Sequence, residues 1–289
     1  MSFKLRKNKP LLYQSELANN TIINYCDDWD NPDFLEKYEK IKDKDWYYKD
    51  AKIEYKHNEF GYRSDLLSDI NDNDYLLSFG CSYTYGFGLF DEDRYSTIVA
   101  KHYNLKNINM GINGSGISYH TLNTTLFINY IMHNNLRLPK LVIYQYPSWT
   151  RMKFSKLEID EIDKNSSLAQ HTHNFDSYDK NITPYYKKHW ILDETEPMTE
   201  SFITPLQLHL LWNGYGVPVY HMDWGDYKQK YKSDYQAFHI FNYEDFVKEY
   251  QKDEIDFLLN CAKDLSHNGK AFNERIAGEI IQNTKEWLM

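Results

Sequence analysis

YLLSFGCSYTYGFG, running from Tyr75 to Gly88, decides how this chain is read. The apolar run Tyr75 to Phe79 stops abruptly at Gly80, the pattern of a buried strand emptying into a tight loop. Ser82 stands just beyond that strand. A serine at the carboxyl end of a buried strand, on a glycine-relieved turn, is where open α/β sheets expose reactive groups and bind ligands. Near the other end of the chain, Lys263-Asp264-Leu265-Ser266-His267-Asn268-Gly269 sets an Asp-x-x-His just before a predicted helix. A serine hydroxyl is a poor nucleophile until a histidine takes its proton, and that histidine needs a carboxylate to fix its tautomer. The spacing of three lets one short turn hold Asp264 against one ring nitrogen of His267 while the other faces out.

These blocks resemble the SGNH, or GDSL-like, hydrolase family. The family's Gly-Asp-Ser corresponds to Gly80-Cys81-Ser82, its second block to Asn109-Met110-Gly111-Ile112-Asn113-Gly114, and its final Asp-x-x-His to Asp264 and His267. The resemblance runs from about Tyr75 to the C-terminus, with long unmatched stretches between. It implies a three-layer α/β/α sandwich with a mostly parallel, flavodoxin-like sheet, and an acyl-enzyme mechanism that needs no metal or organic cofactor. It also implies oxyanion donors at the backbone N–H groups of Ser82 and Gly114, with Gly111 as the fallback. The block III asparagine is missing: after Leu141 to Tyr146 the pattern falls on Tyr146-Pro147-Ser148-Trp149. Ser148, or the Trp149 indole, is the replacement donor considered. Cys81 stands where the family has aspartate and is a second, less favoured nucleophile.

Composition narrows the class. The 289 residues suffice for one large α/β domain, 42% hydrophobic and 17% aromatic side chains can build a core, and the formal charge is −9. That charge argues against a nucleic-acid backbone or an anionic membrane as partner. Cys26, Cys81 and Cys261 match no zinc or disulfide spacing. His171-x-His173 lacks companion ligands, so no metal is expected. The start, MSFKLRKNKPLLYQ, has no signal-peptide core and no run approaches membrane-spanning length. The expectation is a soluble protein without a signal peptide, cytoplasmic or part of a phage particle.

Along the chain, residues 1–50 lack clean periodicity and read as an irregular N-terminal arm, followed by one domain over 51–289 with insertions near 150–198 and 223–250. Ile53 to Arg63 reads as an extended piece with a turn; its Asn-x-x-Gly-x-Arg pattern recurs in some SGNH-like proteins of bacteria and phages, with Arg63 structural or site-lining. Asp93 is the expected N-cap of a helix carrying Tyr95, Ile98, Val99 and Tyr103. Strands are expected at Leu105 to Met110, Leu141 to Tyr146 and Val217 to Met222. Helices are expected with Tyr119, Leu122, Leu126 and Tyr130 on one face, over Ser201 to Asn213, around Glu254 to Cys261, and from Asn268 onward with Phe272, Ile276, Ile280 and Ile281. Alternating strands and helices argue for a parallel sheet covered on both faces.

The leading expectation is a serine-dependent hydrolase of carboxylic esters, taking a small-molecule or glycan ester and removing O-acyl groups. Ser82 is the nucleophile, His267 the base, Asp264 the orienting carboxylate. Tyr83, Tyr85, Tyr146 and Trp149 are expected to bind substrate at the mouth, with Tyr144 beside them and buried packing as the alternative. Acyl transfer, and a non-catalytic binding module of the same fold, are the other readings; the oligomeric state is open.

Overall fold

The computed structural model describes residues 17–18, 21–25, 29–147, 152–153, 172–173, 195–223, 240–242 and 253–288. In chain order these form β1 (Ile22–Asn24), α1 (Pro32–Ile41), β2 (Glu54–Lys56), β3 (Tyr75–Phe79), the single turn α2 (Ser82–Tyr85), α3 (Tyr95–His102), β4 (Lys106–Asn109), α4 (Ile117–His133) and β5 (Leu141–Tyr146). After them come β6 (Met152–Lys153), β7 (Thr172–His173), α5 (Thr195–Gly214), β8 (Val219–Asp223), β9 (Ile240–Asn242), α6 (Glu254–Leu259) and α7 (Lys270–Leu288).

Every residue of β3, β5 and β8 is buried. Strands without polar alternation are stable only when both faces are covered, the condition of a parallel sheet under helices. The sheet order is β4-β3-β5-β8-β9, and each pairing is parallel. Counted as the first to fifth strands of the sheet, this is the flavodoxin-like order 2-1-3-4-5, in which ligands bind at the carboxyl edge beside the switch between the first and third strands. The three-layer expectation is met, and the switch point lies between β3 and β5.

Side chains alternate across each strand. Tyr75, Leu77, Phe79, Val142, Tyr144 and Tyr146 pack with Phe127 and Ile131 of α4 and Leu208 and Trp212 of α5. Leu76, Leu141, Ile143 and Met222 pack with Val99 of α3 and with Phe272, Ile276 and Ile280 of α7, while Ile281 is only half-buried. On α4 the deepest apolar residues are Phe127 and Ile131, and the expected Leu126 and Tyr130 sit at the margin of the core.

Two local expectations are corrected. Asp93 does not cap α3; it is fully buried and accepts hydrogen bonds from Tyr48 Oη (2.8 Å) and Lys270 Nζ (3.2 Å). Its carboxylate ties three segments together, and the helix starts two residues later. The stretch expected as an irregular arm contains β1, paired antiparallel with β2, and α1. Asn31 caps α1 by accepting from Asp33 N–H at 3.0 Å, with Pro32 pre-set at the first helical position. The aromatic residues that obscured its periodicity form a third core: Phe34, Ile41, Trp46, Tyr48, Ile53 and Tyr55 pack on Tyr85, Leu89, Leu258 and Leu265. Most of 150–198 and 223–250 lies outside the described residues, although β9, from the second of these, joins the sheet. No helix among the described residues is long and apolar enough to cross a membrane.

Candidate active site

The serine is placed by the end of β3. Cys81 keeps an extended backbone, Ser82 opens the one-turn helix α2, and Gly86 (φ +80°) closes it, with Gly86 and Phe87 N–H both donating to Ser82 O at 2.9 and 3.0 Å. As the first helical residue, Ser82 has a backbone N–H outside the helix's own bonding pattern. The turn is gripped by buried polar groups. Asn109 Nδ2 donates to Thr84 O at 2.6 Å. His57 Nε2 and Tyr85 Oη lie 2.9 Å apart. Arg63 is buried, stacks 4.3 Å over the Tyr55 ring, and donates to the carbonyls of Gly86 (2.5 Å) and Leu89 (2.7 Å). Burial, reinforced by neighbouring Arg94, lowers the Arg63 pKa to about 10, so it remains a cation at neutral pH. Arg63 is therefore structural: it holds the exit of the serine loop.

The histidine is placed by a tight turn between α6 and α7. Ala262 N–H donates to His267 O at 2.8 Å, Leu265 adopts φ 55°, and Cys261 and Asn268 form a bridge across the base. Asp264 Oδ1 accepts from the backbone N–H groups of Ser266 (3.2 Å) and His267 (3.0 Å), while Oδ2 accepts from His267 Nδ1–H. Burial pushes the Asp264 pKa up, but the bonds from the His267 side chain and these backbone donors outweigh it and hold the carboxyl below its ordinary value. A carboxylate that only accepts requires the proton on Nδ1, so Nε2 is the free acceptor. Ser82 Oγ lies 2.7 Å from that Nε2. Lys263 N–H, donating to Gly88 O at 3.0 Å, docks the turn onto the serine loop. The rings of Tyr83 and Phe87 flank the imidazole at centroid distances of 4.6 and 5.4 Å.

Ser82, His267 and Asp264 are thus brought together from opposite ends of the chain. Gly114, with φ +73°, lies in the β4–α4 loop, which is tied to the serine strand because Ile112 N–H and Ser115 Oγ both bond Gly80 O at 3.0 Å. The fallback Gly111 is removed as an oxyanion donor, since its N–H is taken by Asn109 Oδ1 at 2.8 Å. Cys81 is also corrected as an alternative nucleophile: its buried thiol donates to Gln145 Oε1 at 3.2 Å. Tyr85 and Tyr146 are not at the mouth. Tyr85 is buried against the N-terminal core, and Tyr146 is buried with its hydroxyl 2.9 Å from His221 Nδ1. Tyr144 is buried likewise and bonds Thr124 and Trp212. Tyr83 does stand at the site. Ser148, Trp149 and His171 lie outside the described residues, and among the described residues no group of three or more His, Cys, Asp or Glu is placed to hold a metal.

Gln145 and Asn109 were not foreseen as site-forming side chains. Period-two alternation was the available signal for Gln145: with Tyr144 and Tyr146 on one face of β5, Gln145 must face the other. A cavity of about 20 Å³, room for a water or a methyl-sized group, lies beside His267 between Tyr83, Phe87, Gln145, Met222 and Asp223.

No known family profile and no curated protein matches the chain. Among solved structures, it is similar to one described as lipolytic and of the G-D-S-L family from Desulfitobacterium hafniense DCB-2, at 10% identity and TM-score 0.39, covering 73% of this chain and 99% of that one. It is also similar to a carbohydrate esterase whose active site is described as having divergent catalytic and non-catalytic binding functions, at 10% identity and TM-score 0.37, covering 75% of this chain and 67% of that one. At these scores neither likeness bears on the reading of the site. On its own strand order the chain has a flavodoxin-like, three-layer α/β/α fold, with Ser82, His267 and Asp264 together at the carboxyl edge of its 2-1-3-4-5 sheet.

Proposed function

We propose that the protein is a serine-dependent acyl hydrolase acting on carboxylic esters. The observation that carries this reading is the unbroken chain of hydrogen bonds from Asp264 through His267 to Ser82 Oγ. Ser82 Oγ attacks the acyl carbon as His267 Nε2 takes its proton, and Asp264 stabilises the imidazolium that forms. The negative charge on the former carbonyl oxygen is met by the N–H groups of Ser82 and Gly114. On collapse, the C–O bond to the alcohol breaks and His267 returns the proton to the leaving oxygen. Water, deprotonated by His267, then cleaves the acyl-enzyme and restores Ser82. The Tyr83 and Phe87 faces beside His267 favour a sugar as the alcohol portion.

The test is turnover of p-nitrophenyl acetate and of an O-acetylated oligosaccharide by the wild type, Ser82→Ala and His267→Ala. The expected result is hydrolysis by the wild type and a fall of about 10⁶-fold in kcat in either variant, both folded. Turnover at wild-type level in Ser82→Ala would remove the mechanism. A folded wild type inert on every ester tried would favour the non-catalytic binding module.

A further inference from the structure

We infer that Gln145 is a positioning residue that fixes the serine for attack, an inference that rests on Ser82 being the nucleophile. Gln145 is 3% exposed and projects from β5 toward the start of α2, opposite to its neighbours Tyr144 and Tyr146. Three donors converge on its Oε1: Cys81 N–H at 3.2 Å, Cys81 Sγ–H at 3.2 Å and Thr84 Oγ1–H at 3.3 Å. On its other side Nε2–H donates to Tyr146 O at 3.0 Å. Because the partners on one side donate and the partner on the other accepts, the carboxamide has a single orientation. Thr84 Oγ1 also lies 2.8 Å from Tyr95 Oη, and with Thr84 donating to Gln145, Tyr95 donates to Thr84.

These contacts straddle Ser82, reaching the residue before it and the residue two beyond it. A Cβ at Gly80 would come within 2.8 Å of Gln145 Oε1, so the amide and the loop backbone are already in contact. The sheet therefore sets the height of the serine turn through one side chain. The 2.7 Å reach from Ser82 Oγ to His267 Nε2 depends on that height. With Cys81 N–H committed to Gln145, the first backbone donor of α2 that can serve an oxyanion is that of Ser82.

The test compares full-length wild type, Gln145→Met and Gln145→Glu. The readouts are the second-order rate of phosphonylation by a fluorophosphonate, kcat and KM on p-nitrophenyl acetate, and the thermal midpoint. Methionine keeps the length and loses the acceptor; glutamate keeps an acceptor oxygen. The expected result is that Gln145→Met slows phosphonylation and kcat by about 10- to 100-fold with KM nearly unchanged, the signature of a misplaced reacting group. Gln145→Glu is expected to recover part of that loss. A purely structural role would lower the midpoint and leave the rates of the folded fraction alone. If Gln145→Met does not fold, Thr84→Val, which removes one donor from the same amide, reads the same effect at smaller size. Rates within about twofold of wild type in the folded variants would overturn the proposal while leaving Ser82 as nucleophile. A folded wild type that the probe does not label would take away the reading of Ser82 and this proposal with it.

Discussion

The serine loop and the His267 turn meet where Ser82 Oγ lies 2.7 Å from His267 Nε2, yet they are held in different ways. The serine turn is clamped by buried groups from other segments: Arg63, Asn109 and Gln145 each bond it directly, and Tyr85 anchors it to His57. The His267 turn is held chiefly by itself, through Asp264 and its own backbone, with Lys263 as the tether to Gly88 O, Tyr48 O and Lys49 O. The position of the nucleophile is thus a property of the whole sheet. That of the base is a property of a short local motif that is docked into place. Damage to the first should reach stability and rate together, and damage to the second should reach rate first.

The largest expected break on the histidine side is Asp264→Asn. The amide can present a donor to Nδ1 and select the wrong tautomer, so kcat should fall by about 10⁴-fold with little change in the urea midpoint. A loss of less than tenfold would mean that the pair does not act as a unit. On the serine side, Arg63→Met strands the carbonyls of Gly86 and Leu89 in a buried site, and should lower stability by about 2–4 kcal/mol by urea denaturation. An unchanged midpoint would contradict the assignment of Arg63 as the clamp of the loop exit.

The tether between the two regions offers a smaller, sharper cut. Gly88 has φ +71°, and a Cβ there would lie 3.0 Å from Lys263 N and 3.2 Å from Asp264 N. Gly88→Ala should push the histidine turn away from the serine, lowering kcat by about tenfold with a stability loss of about 1 kcal/mol. Equal kcat in wild type and Gly88→Ala would show that the two regions need no tether.

The smallest expected effect is in stability against pH. The folded pKa of Asp264 is depressed, so the stability it contributes is fully present above the unfolded value near 3.8 and is lost as pH falls through the folded one. Urea titrations from neutral pH down through that range should show a steeper acid loss in the wild type than in Asp264→Asn. Parallel curves would mean that the carboxylate gains nothing from His267 on folding.

The same contrast explains what could be read from the sequence. Asp264 and His267 lie three residues apart and Ser82 stands in the loop just beyond a buried strand, so chemistry and local spacing point to all three. What supports the serine is spread over Arg63, Asn109 and Gln145 and becomes a site only once β3, β4 and β5 are paired. Tyr146 stands at the end of its strand, a position that by itself points to the mouth, but the pleat turns it into the α4–α5 face beside Tyr144. Tyr85 packs into a core built by aromatic residues of the first fifty positions, whose sequence shows no clean periodicity to announce it. The α1 signal was present in Asn31-Pro32, a side-chain cap followed by the residue best suited to the first turn. Alternation along β5 likewise singled out Gln145, although no motif named it.

The most direct measurement is intact-mass analysis after fluorophosphonate treatment of the wild type, Ser82→Ala and His267→Ala. If the hydrogen-bonded chain activates the serine, the wild type gains one adduct and neither variant does. A folded wild type that gains none, or an adduct that persists in Ser82→Ala, would contradict the assignment of Ser82 as nucleophile.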